Sequence, residues 1–144
     1  METHELHRGR LIDHLQLVVK DFEASRRFYE AALAALDIPI GGAGDDYFWA
    51  DELFVSSQDS RTALGALTGR THLAFQAASP AIVQRFHRAA LEAGGRDNGA
   101  PGMRPYHPGY YSAFVLDPDG NNIEAVYHGP AGRSAASVKI SFSD

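Results

Sequence analysis

The chain has 144 residues, of which 44% are hydrophobic and 22% charged, the size and composition of one globular domain. A formal charge of −5 argues against nucleic acid or anionic lipid as a partner, and the lack of cysteine excludes disulfides, zinc–thiolate sites and thiol nucleophiles. No apolar run approaches the ~20 residues of a membrane-spanning helix, and the start METHELHRGR is too polar for a signal peptide. We therefore expect a cytoplasmic protein without a membrane partner.

The first half of the chain predicts a strand, a helix and a set of short strands. Large apolar and β-branched residues in LIDHLQLVV (11–19) favour a half-covered strand. Asp21 is a good N-cap for a helix over about 22–36, whose apolar residues lie on one face. Strand-like pieces follow at IPI (38–40), DYFWA (46–50) and ELFVSS (52–57).

The second half predicts the same order of elements. THLAFQA (71–77) favours a strand, Ser79 followed by Pro80 favours a helix start, and Gly94-Gly95 favours its end. Strand-like pieces then lie near 95–98, at YYSAFVL (110–116) and at NNIEAVY (121–127). Asp117-Pro118-Asp119-Gly120 predicts a hairpin turn between the last two.

The two halves are related by an internal repeat. Residues 14–35 align without a gap on residues 72–93, with eight of the twenty-two positions identical, including the His-Leu start and an Arg-Phe pair. The alternative is two similar amphipathic helices by chance. The repeat predicts two βαβββ modules, about 11–57 and 71–128, in one domain over 1–130. Residues 131–144 are predicted to be a flexible tail, in which 137–142 adds an edge strand or has no structural part.

Three polar side chains in apolar strands suggest a metal site. The repeat places His14 and His72 at equivalent points of equivalent strands, and Glu124 stands among the apolar residues of the last strand. A buried carboxylate needs a partner or a metal, and two imidazoles with one carboxylate can bind Fe(II), Mn(II), Ni(II) or Zn(II) with coordination positions left open. Singly, each residue has an ordinary alternative: a hydrogen-bonded strand histidine, or a glutamate paired with arginine.

These segments resemble the vicinal oxygen chelate superfamily, which includes glyoxalase I, bleomycin-resistance proteins, fosfomycin-resistance enzymes and extradiol dioxygenases. The resemblance lies in IDHLQLVVKDFEASRRFYEAAL (12–33), in residues 72–128, which end DPDGNNIEAVYH, and more weakly in DYFWADE (46–52). It implies an α+β fold in which two βαβββ modules form a curved mixed sheet around a metal cleft. It also implies His14, His72 and Glu124 as the ligands of a divalent metal ion, and a homodimer with the cleft close to the interface.

The resemblance to glyoxalase I is incomplete. That enzyme carries a fourth ligand, a glutamate on the last strand of the first module, where this chain offers Phe48, Trp49 or Ala50. Glu52 is the nearby glutamate and is expected to be out of register, which weakens a methylglyoxal–glutathione assignment. Members with three ligands, including the fosfomycin-resistance and extradiol types, tolerate this difference.

The segment RDNGAPGMRPYHPGYY (96–111) predicts a loop of defined shape. Three prolines and three glycines within 99–109 disfavour regular structure. One interpretation is a rigid connection. The other is a wall of the substrate cleft, with Tyr111 facing the cleft and His107 as the proton-transfer group.

Together these features favour a metal-dependent enzyme acting on a small substrate with neighbouring oxygens, as a lyase, isomerase or dioxygenase. The alternative is a metal-free protein of the bleomycin-resistance type that binds and sequesters a small molecule. Such a protein has no use for three metal ligands. A third possibility is a regulatory or scaffold protein that has merely inherited them.

Overall fold

A computed structural model describes residues 5–9, 12–61, 63 and 71–142. The described elements run in the order β1 (Glu5–Arg8), β2 (Leu15–Val19), α1 (Phe22–Ala35), β3 (Gly42–Ala43), β4 (Tyr47–Ala50), β5 (Leu53–Ser57), β6 (His72–Gln76), α2 (Pro80–Glu92), β7 (Arg96–Met103), β8 (Tyr111–Leu116), β9 (Asn122–Tyr127) and β10 (Val138–Ser141). No helix in these ranges is both long and apolar enough to cross a membrane.

The two modules have the same topology. The first forms a four-stranded sheet in the order β2-β5-β4-β3, and the second forms one in the order β6-β9-β8-β7. In each, the first strand runs parallel to the last, and the other neighbouring strands are antiparallel. The predicted α+β fold of two βαβββ modules is therefore confirmed.

Both helices begin at the predicted caps. The Asp21 side chain accepts a hydrogen bond from the backbone N–H of Ala24, and Ser79 accepts one from Ile82. Each cap satisfies an N–H group that the first helical turn leaves without a partner. Gly94, at φ 100°, follows α2 in the left-handed backbone region that glycine adopts without strain.

One hydrophobic core joins the two modules through their helices. The larger fully buried side chains include Phe28, Tyr29, Phe48, Phe86 and Ile123, from both helices and both sheets. α1 packs against α2, and the Tyr29 hydroxyl donates a hydrogen bond of 2.6 Å to buried Asp117 in the β8–β9 turn. The helix-covered faces of the two sheets thus share a core, which leaves the opposite face of each sheet open.

The strands differ from the sequence-based prediction in two places. Residues 38–40 form no strand, and the short strand β3 lies slightly later in the chain. Arg96–Met103 is a strand, although its proline and two glycines favoured a loop. β7 is an edge strand with register irregularities, where a missing N–H and the φ of 157° at Gly99 are tolerated. The irregular loop is therefore confined to residues 104–110.

The tail contains an edge strand that pairs outside the two module sheets. Val138–Ser141 forms β10 and pairs antiparallel with β1 near the chain start. The sequence left open whether this segment has structure, and it gave no signal for β1.

Candidate functional site

The open face of the second sheet carries His72 and Glu124. Leu73 and Ile123 are register partners that pack into the core. Side chains alternate along a strand, so the pairs on either side point to the opposite, open face. These pairs are His72 with Asn122 and Ala74 with Glu124. Glu124 lies there between Ala74 on one side and Phe114 on the other.

His72 and Glu124 are in direct contact. The contact joins Nε2 of His72 to Oε2 of Glu124. Glu124 is only 2% exposed, whereas the His72 side chain is 67% exposed. Burial raises the pKa of Glu124, while His72, Asn122 and Arg104 act in the opposite direction. The pair is therefore a buried carboxylate beneath an accessible imidazole.

Asn122 orients this pair from the same face. Its side-chain amide nitrogen donates to Oε2 of Glu124 at 3.2 Å and lies 3.2 Å from Nδ1 of His72. Its amide oxygen accepts a hydrogen bond of 2.8 Å from Asn98. A side chain that fixes the outer nitrogen of a histidine holds the ring in one orientation, which is the arrangement around many metal ligands.

His14 does not join the pair within one chain. It directly precedes β2, on the other sheet, and its ring contacts Asp13 at 2.7 Å with 66% of the side chain exposed. Among the described residues, no three His, Asp or Glu side chains lie close enough together to hold one metal ion. The structure thus brings two of the three predicted ligands together and leaves the third apart.

Phe54 occupies the position in the first module that corresponds to Glu124 in the second. Glu124 pairs with Ala74, and the equivalent pair in the first module is Gln16 with Phe54. The sequence-based choice among Phe48, Trp49 and Ala50 fell on β4, one strand too early, because β5 is the strand that pairs with β2. Glu52 lies in the turn before β5.

Aromatic side chains cover part of the open face of the first sheet. Tyr47 and Phe54 stack with ring centroids 5.5 Å apart and planes 4° from parallel. Trp49 is the register partner of Phe54 and therefore lies on the same face. All three are partly exposed, so this face offers an apolar surface to a ligand or to another chain.

The loop places its ionisable groups differently from the prediction. Tyr111 was expected to face the cleft, but it points toward α2, where its hydroxyl accepts a hydrogen bond of 3.0 Å from Gln84. Tyr110 lies near the site instead: burial, then the charge of Glu124, raises the pKa of its hydroxyl. The one-residue difference follows from the register of β8, in which Phe114 and not Val115 is level with Glu124.

His107 lies at the exposed rim of the loop. Its Nε2 is 2.9 Å from Nδ1 of His128, and its Nδ1 is 3.0 Å from the carbonyl oxygen of Pro108. The ring of Tyr110 packs edge-on against both histidines, with centroid distances of 5.2 and 5.3 Å. His107, His128 and Tyr110 thus form one cluster of rings at the rim.

Residues without an assigned role in the sequence also lie on this face. Arg104 has its guanidinium carbon 4.8 Å from the ring centroid of Phe114, the register partner of Glu124. Ser112 lies two residues before Phe114, and its hydroxyl is buried without a hydrogen-bond partner among the described residues. Ser112 could have been assigned to this face from the sequence, because residues two positions apart on a strand lie on the same face. No local pattern predicts that Arg104 packs over Phe114.

The fold and this face define a glyoxalase-like protein, and the chain belongs to the Glyoxalase/Bleomycin resistance protein/Dioxygenase superfamily, whose sequence model matches residues 11–125. A glyoxalase/bleomycin resistance protein from Albidiferax ferrireducens T118 is 31% identical, with 81% of this chain and 97% of that chain covered and a TM-score of 0.66. A glyoxalase-related enzyme from Fulvimarina pelagi is 19% identical, with coverage of 94% and 99% and a TM-score of 0.67.

A lactoylglutathione lyase from Agrobacterium tumefaciens has the same fold at 18% identity, with coverage of 82% and 93% and a TM-score of 0.59. A comparison with proteins of curated function gives no significant match.

Proposed function

We propose that this protein is a divalent-metal-dependent enzyme that acts on a small substrate with neighbouring oxygens. The observation that carries the proposal is the buried Glu124 carboxylate in contact with His72 on the open face of an apolar sheet. Burying a carboxylate beside a single imidazole is costly, and a cation bound by both would offset that cost.

The donor set fits a first-row divalent metal ion. A carboxylate oxygen and imidazole nitrogens suit Fe(II), Mn(II), Ni(II) or Zn(II), and His14, His72 and Glu124 would hold the ion. When bound, such an ion supplies Lewis-acid stabilisation of a developing oxyanion. The side-chain amide of Asn122 would hold the His72 ring and the Glu124 carboxylate in fixed orientations, because its nitrogen contacts both.

Two further side chains have proposed roles in proton handling. Tyr110 replaces Tyr111 in this proposal, because the Tyr111 hydroxyl bonds to Gln84 on α2, whereas burial and then the charge of Glu124 raise the pKa of Tyr110. His107 is the proposed proton-transfer group at the rim, where its ring contacts Tyr110 and His128. Replacing His107 by Ala should remove turnover and leave metal affinity unchanged.

We propose that the third ligand comes from a second copy of the chain. His14 lies on the first sheet, and the two sheets of one chain meet through their helix-covered faces. A twofold dimer can instead bring the open face of the first sheet of one copy to the open face of the second sheet of the other. Two equivalent sites would result, each with His14 from one copy and His72 and Glu124 from its partner.

A complementation experiment tests the metal site and the dimer together. His14→Ala and His72→Ala variants should each lose stoichiometric Mn(II), measured by elemental analysis and calorimetric titration. After the two variants are unfolded and refolded together, random pairing should restore about a quarter of the sites, because half of the dimers are mixed and each mixed dimer has one intact site. His87→Ala is the matched control, since His87 pairs with Asp97 away from the site.

The outcomes separate the parts of the proposal. If Glu124→Gln and His72→Ala bind Mn(II) as the wild type does, the metal site is wrong. If the metal is bound but mixing restores no sites, His14 is not shared between copies.

The aromatic face of the first sheet supports a second candidate, a metal-free binding protein. Tyr47, Trp49 and Phe54 would pack against an apolar or aromatic ligand, and Phe54 stands where a fourth metal ligand would be. Wild-type protein that takes up no metal even after reconstitution, but whose tryptophan fluorescence responds to an aromatic ligand, would favour this alternative.

A further inference from the structure

Arg104 lies beside the His72–Glu124 pair, at the base of the loop. Its backbone N–H donates to the carbonyl oxygen of Tyr110 at 2.9 Å, which closes the loop over residues 104–110. Its guanidinium group lies over the ring of Phe114, which is level with Glu124 on the neighbouring strand. The positive charge of Arg104 is therefore on the same face as the buried carboxylate.

The hydrogen bonds of Arg104 use only part of its guanidinium group. Nη2 donates to the carbonyl oxygens of Ala100 at 2.6 Å and Ser112 at 3.2 Å. Nε is buried without a partner among the described residues, and Nη1 makes no hydrogen bond to them. The hydroxyl of Ser112, on the same face, is also buried without a partner in that part of the chain. Unmatched polar groups of this kind are costly, because most buried polar atoms in folded proteins have a hydrogen-bond partner.

A purely structural role explains only the Nη2 bonds. These two bonds connect the irregular strand β7 to β8. A lysine ammonium could make similar bonds, because it also carries one positive charge and several N–H donors. The planar guanidinium and its remaining N–H groups match the oxygens of a carboxylate or phosphate. A divalent cation bound by Glu124 would also leave the charge of Arg104 without an opposing carboxylate.

We propose that Arg104 binds an anionic group of the substrate, so that the substrate carries a carboxylate or phosphate next to its neighbouring oxygens. This inference rests on the function proposed above, since it places the anion beside the metal-binding pair. Ser112, whose hydroxyl is also buried without a partner among the described residues, is the second donor on the same face.

Three probes that share a vicinal diol but differ in charge separate the effect of the anionic group from the effect of the neighbouring oxygens. Glycerate adds a carboxylate, glycerol 3-phosphate adds a phosphate, and glycerol adds no charge. Calorimetric titration into the Mn(II)-loaded protein should give a dissociation constant for at least one anionic probe about tenfold or more below that for glycerol. The stronger of the two anions identifies which group the site accepts.

Arg104→Gln should abolish this preference and leave the dissociation constant for Mn(II) within about threefold of the wild type. Arg104→Lys keeps the positive charge and a donor toward β8, so it should fold normally and keep part of the preference. Arg96→Gln removes the same charge from the start of β7, the strand that Arg104 follows. The Arg96 side chain is exposed, and this variant should behave as the wild type.

Wild-type affinity for the anions in a folded Arg104→Gln variant would overturn the inference, as would equal binding of all three probes by the wild type. A lower melting temperature with the preference intact would make Arg104 a structural clamp only. If the wild type binds no Mn(II), the proposed function fails separately. The same comparison on chelator-treated protein, with inorganic phosphate as the probe, then decides whether Arg104 binds an anion.

Discussion

Replacing Tyr29 by Phe should destabilise the protein by breaking a buried polar contact between its two modules. The Tyr29 hydroxyl donates to Oδ2 of Asp117 at 2.6 Å, and both residues are at most 1% exposed. Among the described residues, the remaining donors to this carboxylate are local: the backbone N–H groups of Asp119 and Asn121 and the Asn121 amide. Tyr29 is therefore the residue through which α1 is tied to the β8–β9 turn.

The expected magnitude follows from losing one bond to a buried charge. Hydrogen bonds to charged groups contribute about 1.5–3 kcal/mol, and the variant leaves the Asp117 carboxylate with one donor fewer. For a chain of this length, about 2 kcal/mol corresponds to a fall of roughly 6–8 °C in the melting temperature. Urea unfolding followed by circular dichroism measures the change in the free energy of unfolding.

The same bond predicts a pH dependence. Burial, and then the negative charge of Asp117, raises the pKa of Tyr29 well above its ordinary value of 10.0. The folded state therefore resists ionisation of this tyrosine, so its contribution to stability is complete below pH 10 and falls as the pH rises further. The wild type should lose stability above pH 10 more steeply than Tyr29→Phe.

Tyr47→Phe is the matched control. Its ring stacks on Phe54, and its hydroxyl makes no hydrogen bond to the described residues. The control should change the free energy of unfolding by less than about 0.5 kcal/mol. If Tyr29→Phe is as small as the control, or if Tyr29→Phe and Asp117→Asn have strictly additive effects, the assigned contact does not stabilise the fold.

Three further substitutions test the packing around α2, its N-terminal cap and its contact with α1. Gly95→Ala should destabilise the fold by about 2 kcal/mol or more on chemical unfolding, because an added Cβ would lie 2.6 Å from the ring of Phe28. Ser79→Ala should cost about 1 kcal/mol and selectively increase hydrogen exchange in the first turn of α2, since it removes the cap. Arg85→Met should cost about 1–2 kcal/mol, because the Arg85 Nε–H donates to the carbonyl oxygen of Ala35 at the end of α1. Unchanged hydrogen exchange or unchanged stability in any variant would show that its contact does not stabilise the fold.

Local patterns predicted most of the fold. The caps at Asp21 and Ser79 depend on a few adjacent residues, and both helices begin where the sequence indicates. β7 was assigned largely to a loop, because the pattern cannot tell that a strand will lie at an edge, where proline and glycine are tolerated. β1 and β10 pair across nearly the whole chain, and local patterns do not specify such a pairing.

The candidate site was predictable only in part. Glu124 stands out because a carboxylate among apolar strand residues must be accommodated, and His72 follows from the repeat and from the pairing of the first and last strands. The orientation of Tyr110 and Tyr111 was not predictable. It depends on the five residues between Leu116 and Asn122, and a register shift of one residue reverses every face along β8.

The sequence by itself determined the duplication, the helix boundaries and the chemical types available at each strand position, because these follow from short-range patterns and from comparing one half of the chain with the other. Tertiary structure alone decided which of those residues meet. His14 and His72 are equivalent in the repeat but lie on different sheets, and the helices that join the modules leave them on separate open faces. Arg104 reaches the site because the chain turns back over Phe114. Contacts of this kind depend on packing between distant segments, and such packing is a property of the whole chain rather than of any local pattern.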